Sequence, residues 1–340
     1  MIRVENDISE IDAHYAARLG AISKRLEELN SYIQTLTSTC DDSLVRIGLS
    51  AFLNGNSADN NISDKKKNEL IKKFEAEHKE EAEKLNKLVK KLDSSQVREI
   101  KNIIYSASEP YRSLYLSELD SYTIGNISGD KTGYFTTRDN TINVDMTKEE
   151  TNPRGAYTTF FHESGHAIDY NYIDDGQFYS VSYRDENGNS LQELIYKDVR
   201  ADVQKTVARY TTDETMQNNL TEYIMSAGKI DSTTLTKTEN MLLSNIQGYY
   251  SKDMKGALNE ACSDVYGGVT GNIIHGSYGH WSTRYWYDSK GNATLAQSKE
   301  LWAEYYSYQA TGNDKAMENL REHFPLAGEF LDEMAEKMAS

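Results

Sequence analysis

The sequence predicts an α+β fold that is mostly α-helical, with a helical hairpin ahead of a domain that contains a small sheet. Apolar residues recur at helical spacing over 8–36, which predicts a long amphipathic helix. Two β-rich segments, 134–137 and 141–146, flank the turn residues 138–140, which predicts a pair of strands. Only 3 of the 340 residues are proline, so helices are rarely interrupted.

Residues 1–93 are predicted to form a coiled-coil-like helical hairpin. Its first helix carries apolar side chains at steps of three and four residues, as in a heptad repeat. A Gly/Asn/Asp-rich break at 54–61 precedes a second helix, marked by apolar residues from Leu70 to Leu92. Two roles stay open for this hairpin: a lid on the following domain, or a module for self-association or adaptor binding.

Residues 94–340 are predicted to form one domain that contains the strand pair. Pro153 is predicted to open the helix that follows the strands. Because the strand pair lies directly upstream of this helix, we expect one strand to form a sheet edge to which an extended peptide can add.

Residues 171–255 are predicted to form a largely helical insertion in this domain. An aromatic, hairpin-like stretch surrounds Asn187 and Gly188. The capping box at 190–193 then starts a helix that is expected to reach about Tyr210.

Composition excludes several classes of protein. The formal net charge is −16 and no long Lys/Arg-rich tract occurs, so nucleic acid is not an expected partner. Cys40 and Cys262 are too far apart in sequence for a C-x-x-C site. Neither a signal peptide nor an apolar run long enough to span a membrane is present. The expected location is therefore the cytoplasm, or the exterior by a leaderless export route.

The most informative motif is H-E-S-G-H at residues 162–166. On a helix, His162 and His166 lie on one face and can bind a single zinc ion. Glu163 is then placed to accept a proton from a zinc-activated water. The sequence therefore predicts a zinc site in which Glu163 is the general base and a third protein ligand is supplied from elsewhere.

Two downstream segments offer that third ligand. Glu260 is followed four residues later by Asp264, and Glu300 is followed four residues later by Glu304. On a helix, one carboxylate of such a pair can bind the metal while the other accepts the free N–H of a ligating histidine.

Both segments resemble zincin metallopeptidases. Residues 259–264 resemble the N-E-x-x-S-D helix of thermolysin-type enzymes. Residues 162–169 and 300–306 resemble the catalytic domain of the anthrax lethal factor family, and this likeness extends through Leu331. More loosely, the stretch from 255 onward is similar to zincin-like domains of phage head proteins and polymorphic toxins. The resemblance implies a zincin-like metallopeptidase domain over 94–340.

This resemblance implies Glu300 as the third zinc ligand, because its match is longer, with Glu260 as the alternative. Asp264 is then expected to orient a ligating histidine. The distances in sequence from His166 to either glutamate exceed those usual in both families, which residues 171–255 explain as an insertion.

A zincin also needs a donor to the oxyanion of the tetrahedral intermediate. Thermolysin-type enzymes use a downstream histidine, which implies His280. Lethal-factor-like enzymes use a tyrosine seven residues before the ligand glutamate, but Ala293 occupies that position here. Tyr285 is therefore the second candidate, and Tyr287 and His275 stay open.

The sequence thus predicts a zinc-dependent endopeptidase that acts on a protein or peptide substrate. The hairpin resembles those of type VII secretion substrates, although the usual Trp-x-Gly turn is absent, so a secreted effector or toxin is one expectation. The alternative from another class is a non-catalytic structural or interaction protein with a remnant zinc site.

Overall fold

The computed structural model of the chain describes residues 64–126, 133–173 and 175–340. The chain divides into two compact units, Met1–Leu70 and Ile71–Ser340. The hairpin predicted over 1–93 lies outside the described residues for positions 1–63. Its roles in self-association, adaptor binding or export therefore stay predictions.

The described residues form fifteen α-helices and one three-stranded sheet, which confirms the prediction of an α+β, mostly α fold. The helices are α1 Asp64–Glu77, α2 Lys79–Leu88, α3 Ser94–Ser106, α4 Tyr111–Ser117, α5 Met146–Glu149, α6 Thr158–Asn171, α7 Tyr179–Ser182, α8 Leu191–Tyr210, α9 Glu214–Met225, α10 Lys237–Asp253, α11 Glu260–Thr270, α12 Thr283–Trp286, α13 Ala296–Thr311, α14 Asp314–His323 and α15 Pro325–Met338. The strands are β1 Thr123–Asn126, β2 Tyr134–Thr136 and β3 Thr141–Val144.

The helix predicted from Leu70 to Leu92 is two helices, α1 and α2, because the backbone at His78 leaves the helical conformation. The His78 ring stacks on Phe74 at a centroid distance of 4.2 Å. In α2, Leu85 is fully buried and belongs to the same hydrophobic core as α3 and α6.

The sheet has the strand order β1-β3-β2. Strand β2 pairs antiparallel with β3, which confirms the predicted strand pair. Strand β1 pairs parallel with β3 and was not predicted, because its sequence Thr-Ile-Gly-Asn contains two residues that disfavour strands. The central strand buries Ile142 and Val144 against the core, and among the described residues β2 has its second edge free.

The prediction that Pro153 opens the motif-bearing helix is wrong, because α6 begins at Thr158. The side-chain oxygen of Asn152 accepts the N–H of Arg154 at 3.0 Å, which holds this segment in a turn. Tyr157 then enters the helix in the left-handed conformation, with φ 63°. Residues 150–157 therefore form a non-helical connection between α5 and α6.

Residues 171–255, the predicted insertion, are mostly helical where the structure describes them, but the stretch around Asn187 and Gly188 contains no strand. The Asp185 carboxylate accepts the backbone N–H of Asn187 and Asn189, which makes a side-chain-stabilised turn instead of a hairpin. The predicted capping box at 190–193 is present and starts α8, which ends at Tyr210 as expected.

Helix α13 is the centre of the Ile71–Ser340 unit, and nearly all of its residues are buried. It packs most closely against α6, and α11, α14 and α4 also contact it. Because α13 is buried on all sides, its polar residues are enclosed and need partners inside the protein. No helix in the described part of the chain combines the length and the apolar character needed to cross a bilayer.

Candidate metal centre

A glycine inside the H-E-S-G-H motif sets the distance between α6 and α13. A Cβ placed on Gly165 would lie 3.0 Å from the Cα of Ala303 and 3.3 Å from its carbonyl oxygen. Trp302 Nε1 donates a hydrogen bond of 2.9 Å to the carbonyl of Gly165. A larger side chain at position 165 would push the helices apart, so the glycine keeps Glu300 on α13 opposite the two histidines.

His162, His166 and Glu300, called here the histidine–glutamate cluster, offer ligand atoms that all lie within 4.8 Å of one another. The Nε2 atoms of His162 and His166 are 3.3 Å and 3.5 Å from Glu300 Oε2. In a tetrahedral zinc site with bonds of about 2.0–2.1 Å, neighbouring ligand atoms are separated by about 3.3–3.4 Å. Most N–H···O hydrogen bonds are shorter, at about 2.7–3.2 Å. The spacing of the cluster therefore fits three protein ligands of a zinc ion.

The electrostatics of the cluster favour a cation. Glu300 is buried, and although burial opposes its ionisation, the neighbouring His166 and His162 hold the pKa of this carboxyl well below its usual range. For His162, burial opposes protonation, but the charge of Glu304 and the contacts to Glu300 and Glu304 together outweigh burial and raise the pKa of this imidazole. The enclosed site thus collects negative charge that a divalent cation would neutralise.

Glu163 lies beside the cluster on α6 and is buried, with 5% of its surface exposed. Burial raises the pKa of the Glu163 carboxyl, and the two histidines partly offset this effect. A Cβ on Gly133, just before β2, would lie 3.3 Å from Glu163 Cγ. The residue that precedes β2 therefore lies next to Glu163.

Helix α13 brings a second carboxylate to the cluster. Glu304 Oε1 lies 3.2 Å from His162 Nδ1, the ring nitrogen that faces away from Glu300. Arg154 Nη1 donates a hydrogen bond of 2.9 Å to the same oxygen. Burial opposes the ionisation of Glu304, but Arg154 and His162 together lower its pKa to about 2. Glu304 is therefore the acid that faces the outer ring nitrogen of His162.

Glu260, the alternative third ligand, lies outside the histidine–glutamate cluster. Its Oε2 atom is 3.4 Å from Arg154 Nε. Because Glu304 makes the shorter contact with the same guanidinium, Glu260 stays poorly compensated, and burial raises its pKa to about 7. The geometry favours Glu300 over Glu260 as the third ligand.

Asp264 orients a histidine, but that histidine is His280 and not a member of the cluster. His280 Nδ1 lies 2.8 Å from Asp264 Oδ2, and its backbone N–H donates to Asp264 Oδ1. Gly279 makes this close approach feasible, because its φ of +138° and its missing Cβ leave room for the carboxylate. The prediction that Asp264 supports a ligating histidine therefore needs correction.

Tyr285 joins this Asp264–His280 pair to the histidine–glutamate cluster. Its ring stacks on His280 with a centroid distance of 4.0 Å and an interplanar angle of 6°. Its hydroxyl donates a hydrogen bond to Glu300 Oε1. Both predicted oxyanion donors, His280 and Tyr285, thus lie at the edge of the same site.

The two other candidates for that role are engaged elsewhere. The Tyr287 hydroxyl donates to the carbonyls of Gly268 and Val269, at 2.8 Å and 3.0 Å. The Nδ1 atom of His275 lies 2.9 Å from the carbonyl of Gly276, and its ring packs against Trp281. The structure therefore leaves His280 and Tyr285 as the donors near the cluster.

Comparison of the chain with protein-family models, curated proteins and solved structures finds no match. The resemblance to zincins therefore stays a prediction from the motif residues.

Proposed function

We propose that this chain is a zinc-dependent endopeptidase. The single observation that supports the proposal best is the spacing of the histidine–glutamate cluster, in which His162 and His166 Nε2 lie 3.3 Å and 3.5 Å from Glu300 Oε2. When bound, zinc supplies a Lewis acid that polarises the scissile carbonyl and activates water. Two imidazoles and one carboxylate are a donor set common among catalytic zinc sites.

Each remaining side chain has a distinct part in the proposed reaction. Glu163 accepts a proton from the attacking water and delivers it to the leaving amine. Its burial suits this role, because a raised pKa brings a carboxylate closer to the working pH of a general base. His280, whose ring is fixed by Asp264, donates a hydrogen bond to the developing oxyanion, and Tyr285 beside it is the second donor.

The free edge of β2 supports a peptide as the substrate. Gly133, at the start of this edge strand, lies close to Glu163, so among the described residues the strand pair is near the proposed general base. Backbone hydrogen bonds to such an edge bind extended chains with little demand on sequence. Within the sheet, Tyr134 on β2 is 46% exposed and offers a surface for substrate side chains.

Glu163→Gln tests the proposal. This variant should retain zinc but lose turnover of a peptide library by about 10²- to 10⁴-fold, because only the proton acceptor is removed. The matched control is Glu318→Gln, an exposed surface position that should turn over like wild type. Turnover near the wild-type rate in Glu163→Gln would refute the assignment. A zinc-loaded wild type without turnover would instead support the alternative, a non-catalytic interaction protein.

A further inference from the structure

The connection between α5 and α6 carries a buried cation, Arg154, whose side chain is 11% exposed. Its guanidinium contacts three elements of the fold. Nη1 donates to Glu304 on α13 at 2.9 Å, and Nη2 donates to Thr159 on α6 at 2.8 Å. Nε lies 3.4 Å from Glu260 on α11. One planar group therefore links the helix that carries the histidines with the helix that carries Glu300.

A buried guanidinium is stable only if its charge and its donors are matched by partners. Two acids face Arg154, and the shorter contact goes to Glu304. The backbone at Arg154 is also fixed: its N–H donates to Asn152, and its carbonyl accepts from Asn313 at 2.6 Å. Both the backbone and the guanidinium of Arg154 are therefore held by hydrogen bonds.

The Glu304 oxygen that accepts from Arg154 is the same atom that faces His162. Glu304 Oε1 lies 2.9 Å from Arg154 Nη1 and 3.2 Å from His162 Nδ1. The other oxygen, Oε2, and His162 Nδ1 are both buried without a hydrogen bond of good geometry among the described residues, so Glu304 and His162 are joined by an ion-pair contact. The hydrogen bond from Arg154 is the shorter of the two contacts to Oε1, so its loss would weaken the hold on the orientation in which this carboxylate faces the imidazole. A fixed acceptor at Nδ1 directs the opposite nitrogen, Nε2, toward a metal.

We propose that Arg154 is a positioning residue of the metal centre, which holds Glu304 against His162 Nδ1 and thereby directs His162 Nε2 toward the ion. The inference rests on the proposed zinc site. Arg154 touches none of the three residues of the histidine–glutamate cluster through a hydrogen bond that the structure shows, and it acts on them through Glu304.

Zinc affinity, measured by competition with a chelator, tests this inference. Arg154→Gln should lower the affinity by about 10- to 100-fold, which is the usual loss when an outer partner of a ligating histidine is removed. The zinc affinity of Arg154→Lys should lie between those of wild type and Arg154→Gln, because an ammonium keeps the charge but lacks the planar arrangement of donors. The matched control is Arg200→Gln, which removes a surface pair with Glu222 and should bind zinc like wild type.

A double-mutant cycle separates positioning from a general loss of structure. If Arg154 acts through Glu304, Arg154→Gln should have little further effect on zinc affinity in a Glu304→Gln background. Circular dichroism of the metal-free variants shows whether each is folded, and Arg154→Lys replaces Arg154→Gln if the latter does not fold. The absorption spectrum of the Co²⁺-loaded protein should also change in Arg154→Lys, since the orientation of His162 changes.

Two failures are distinguishable. A wild type that binds no zinc would refute the proposed function, and this inference with it. A wild type that binds zinc, together with an unchanged affinity in folded Arg154→Gln or in Arg154→Lys, would refute only the role of Arg154. Losses that multiply in the double variant would also overturn it, because they would show that Arg154 does not act through Glu304.

Discussion

Two histidine–carboxylate groups share one site but differ in the spacing of their atoms. In the histidine–glutamate cluster, the imidazole nitrogens of His162 and His166 lie 3.3 Å and 3.5 Å from Glu300. In the Asp264–His280 pair, the nitrogen lies 2.8 Å from the carboxylate. The shorter distance is that of a charge-assisted hydrogen bond, and the longer ones match neighbouring ligands of zinc.

The difference teaches that residue type alone does not identify a metal site. Asp264, His280 and Glu300 also place ligand atoms within 4.8 Å of one another, like the histidine–glutamate cluster. However, Asp264 already satisfies His280 through two contacts, one to the ring and one to the backbone. His280 Nδ1 and Asp264 Oδ2, at 2.8 Å, are closer than two ligand atoms of one zinc ion, so they would have to move apart to bind it. The first group is arranged for a metal, and the second is arranged to hold an imidazole in place.

The largest expected difference between the two groups is in zinc affinity, and it is measured by removing one histidine from each. His166→Ala should lower zinc affinity by roughly 100- to 1000-fold, because it removes one of the three proposed protein ligands of the ion. His280→Ala should leave zinc affinity close to that of wild type while turnover falls, since it removes only an oxyanion donor. Isothermal titration with zinc and a peptide assay measure both quantities.

If His280→Ala lowered zinc affinity as strongly as His166→Ala does, the distinction between the two groups would be wrong. Two zinc ions bound per wild-type chain, with one lost in His280→Ala, would likewise show that the Asp264–His280 pair binds metal.

A smaller effect concerns the acid that the site leaves uncompensated. In the folded protein, burial raises the pKa of Glu260 from 4.5 to about 7, so the native state binds this proton more tightly than the unfolded chain does. The contribution to stability is therefore greatest below about pH 4.5 and is lost as the pH rises to about 7. Between pH 5 and pH 8, Glu260 should lower the free energy of unfolding by on the order of 2 kcal/mol.

Urea denaturation of metal-free wild type and Glu260→Gln at these two pH values measures the contribution. The decrease in the free energy of unfolding between pH 5 and pH 8 should be smaller in Glu260→Gln than in wild type. Glu318→Gln, at an exposed position, should behave like wild type. Equal decreases in all three proteins would mean that Glu260 is compensated, and that Arg154 serves Glu260 as well as it serves Glu304.

Local sequence patterns predicted much of the fold. The capping box at 190–193 correctly predicted the start of α8, because its hydrogen bonds join residues three positions apart. Strand β1 could not be predicted, because it forms only by pairing with β3. The turn at Asn152 also delays α6 beyond Pro153 through a side-chain bond that no periodicity reveals. Local contacts that have a sequence signature, such as the capping box, are thus predictable, whereas β1 and the turn at Asn152 have no such signature.

The site shows the same division. Helical spacing predicted that His162 and His166 share a face, and the acid pairs on α11 and α13 were found from their i, i+4 spacing. The sequence does not show which histidine each outer acid faces: Glu304 faces His162, and Asp264 faces His280. The sequence does not reveal the role of Arg154, because the two acids that its guanidinium contacts, Glu260 and Glu304, are more than 100 positions away.

The most direct test of the central claim is zinc titration of Glu300→Ala and Glu260→Ala beside wild type. We predict one zinc per wild-type chain, a strong loss of affinity in Glu300→Ala, and a filled site in Glu260→Ala with a loss of no more than about 100-fold, since Glu260 is only an outer partner of the site. An empty site in Glu260→Ala together with a filled one in Glu300→Ala would contradict the account.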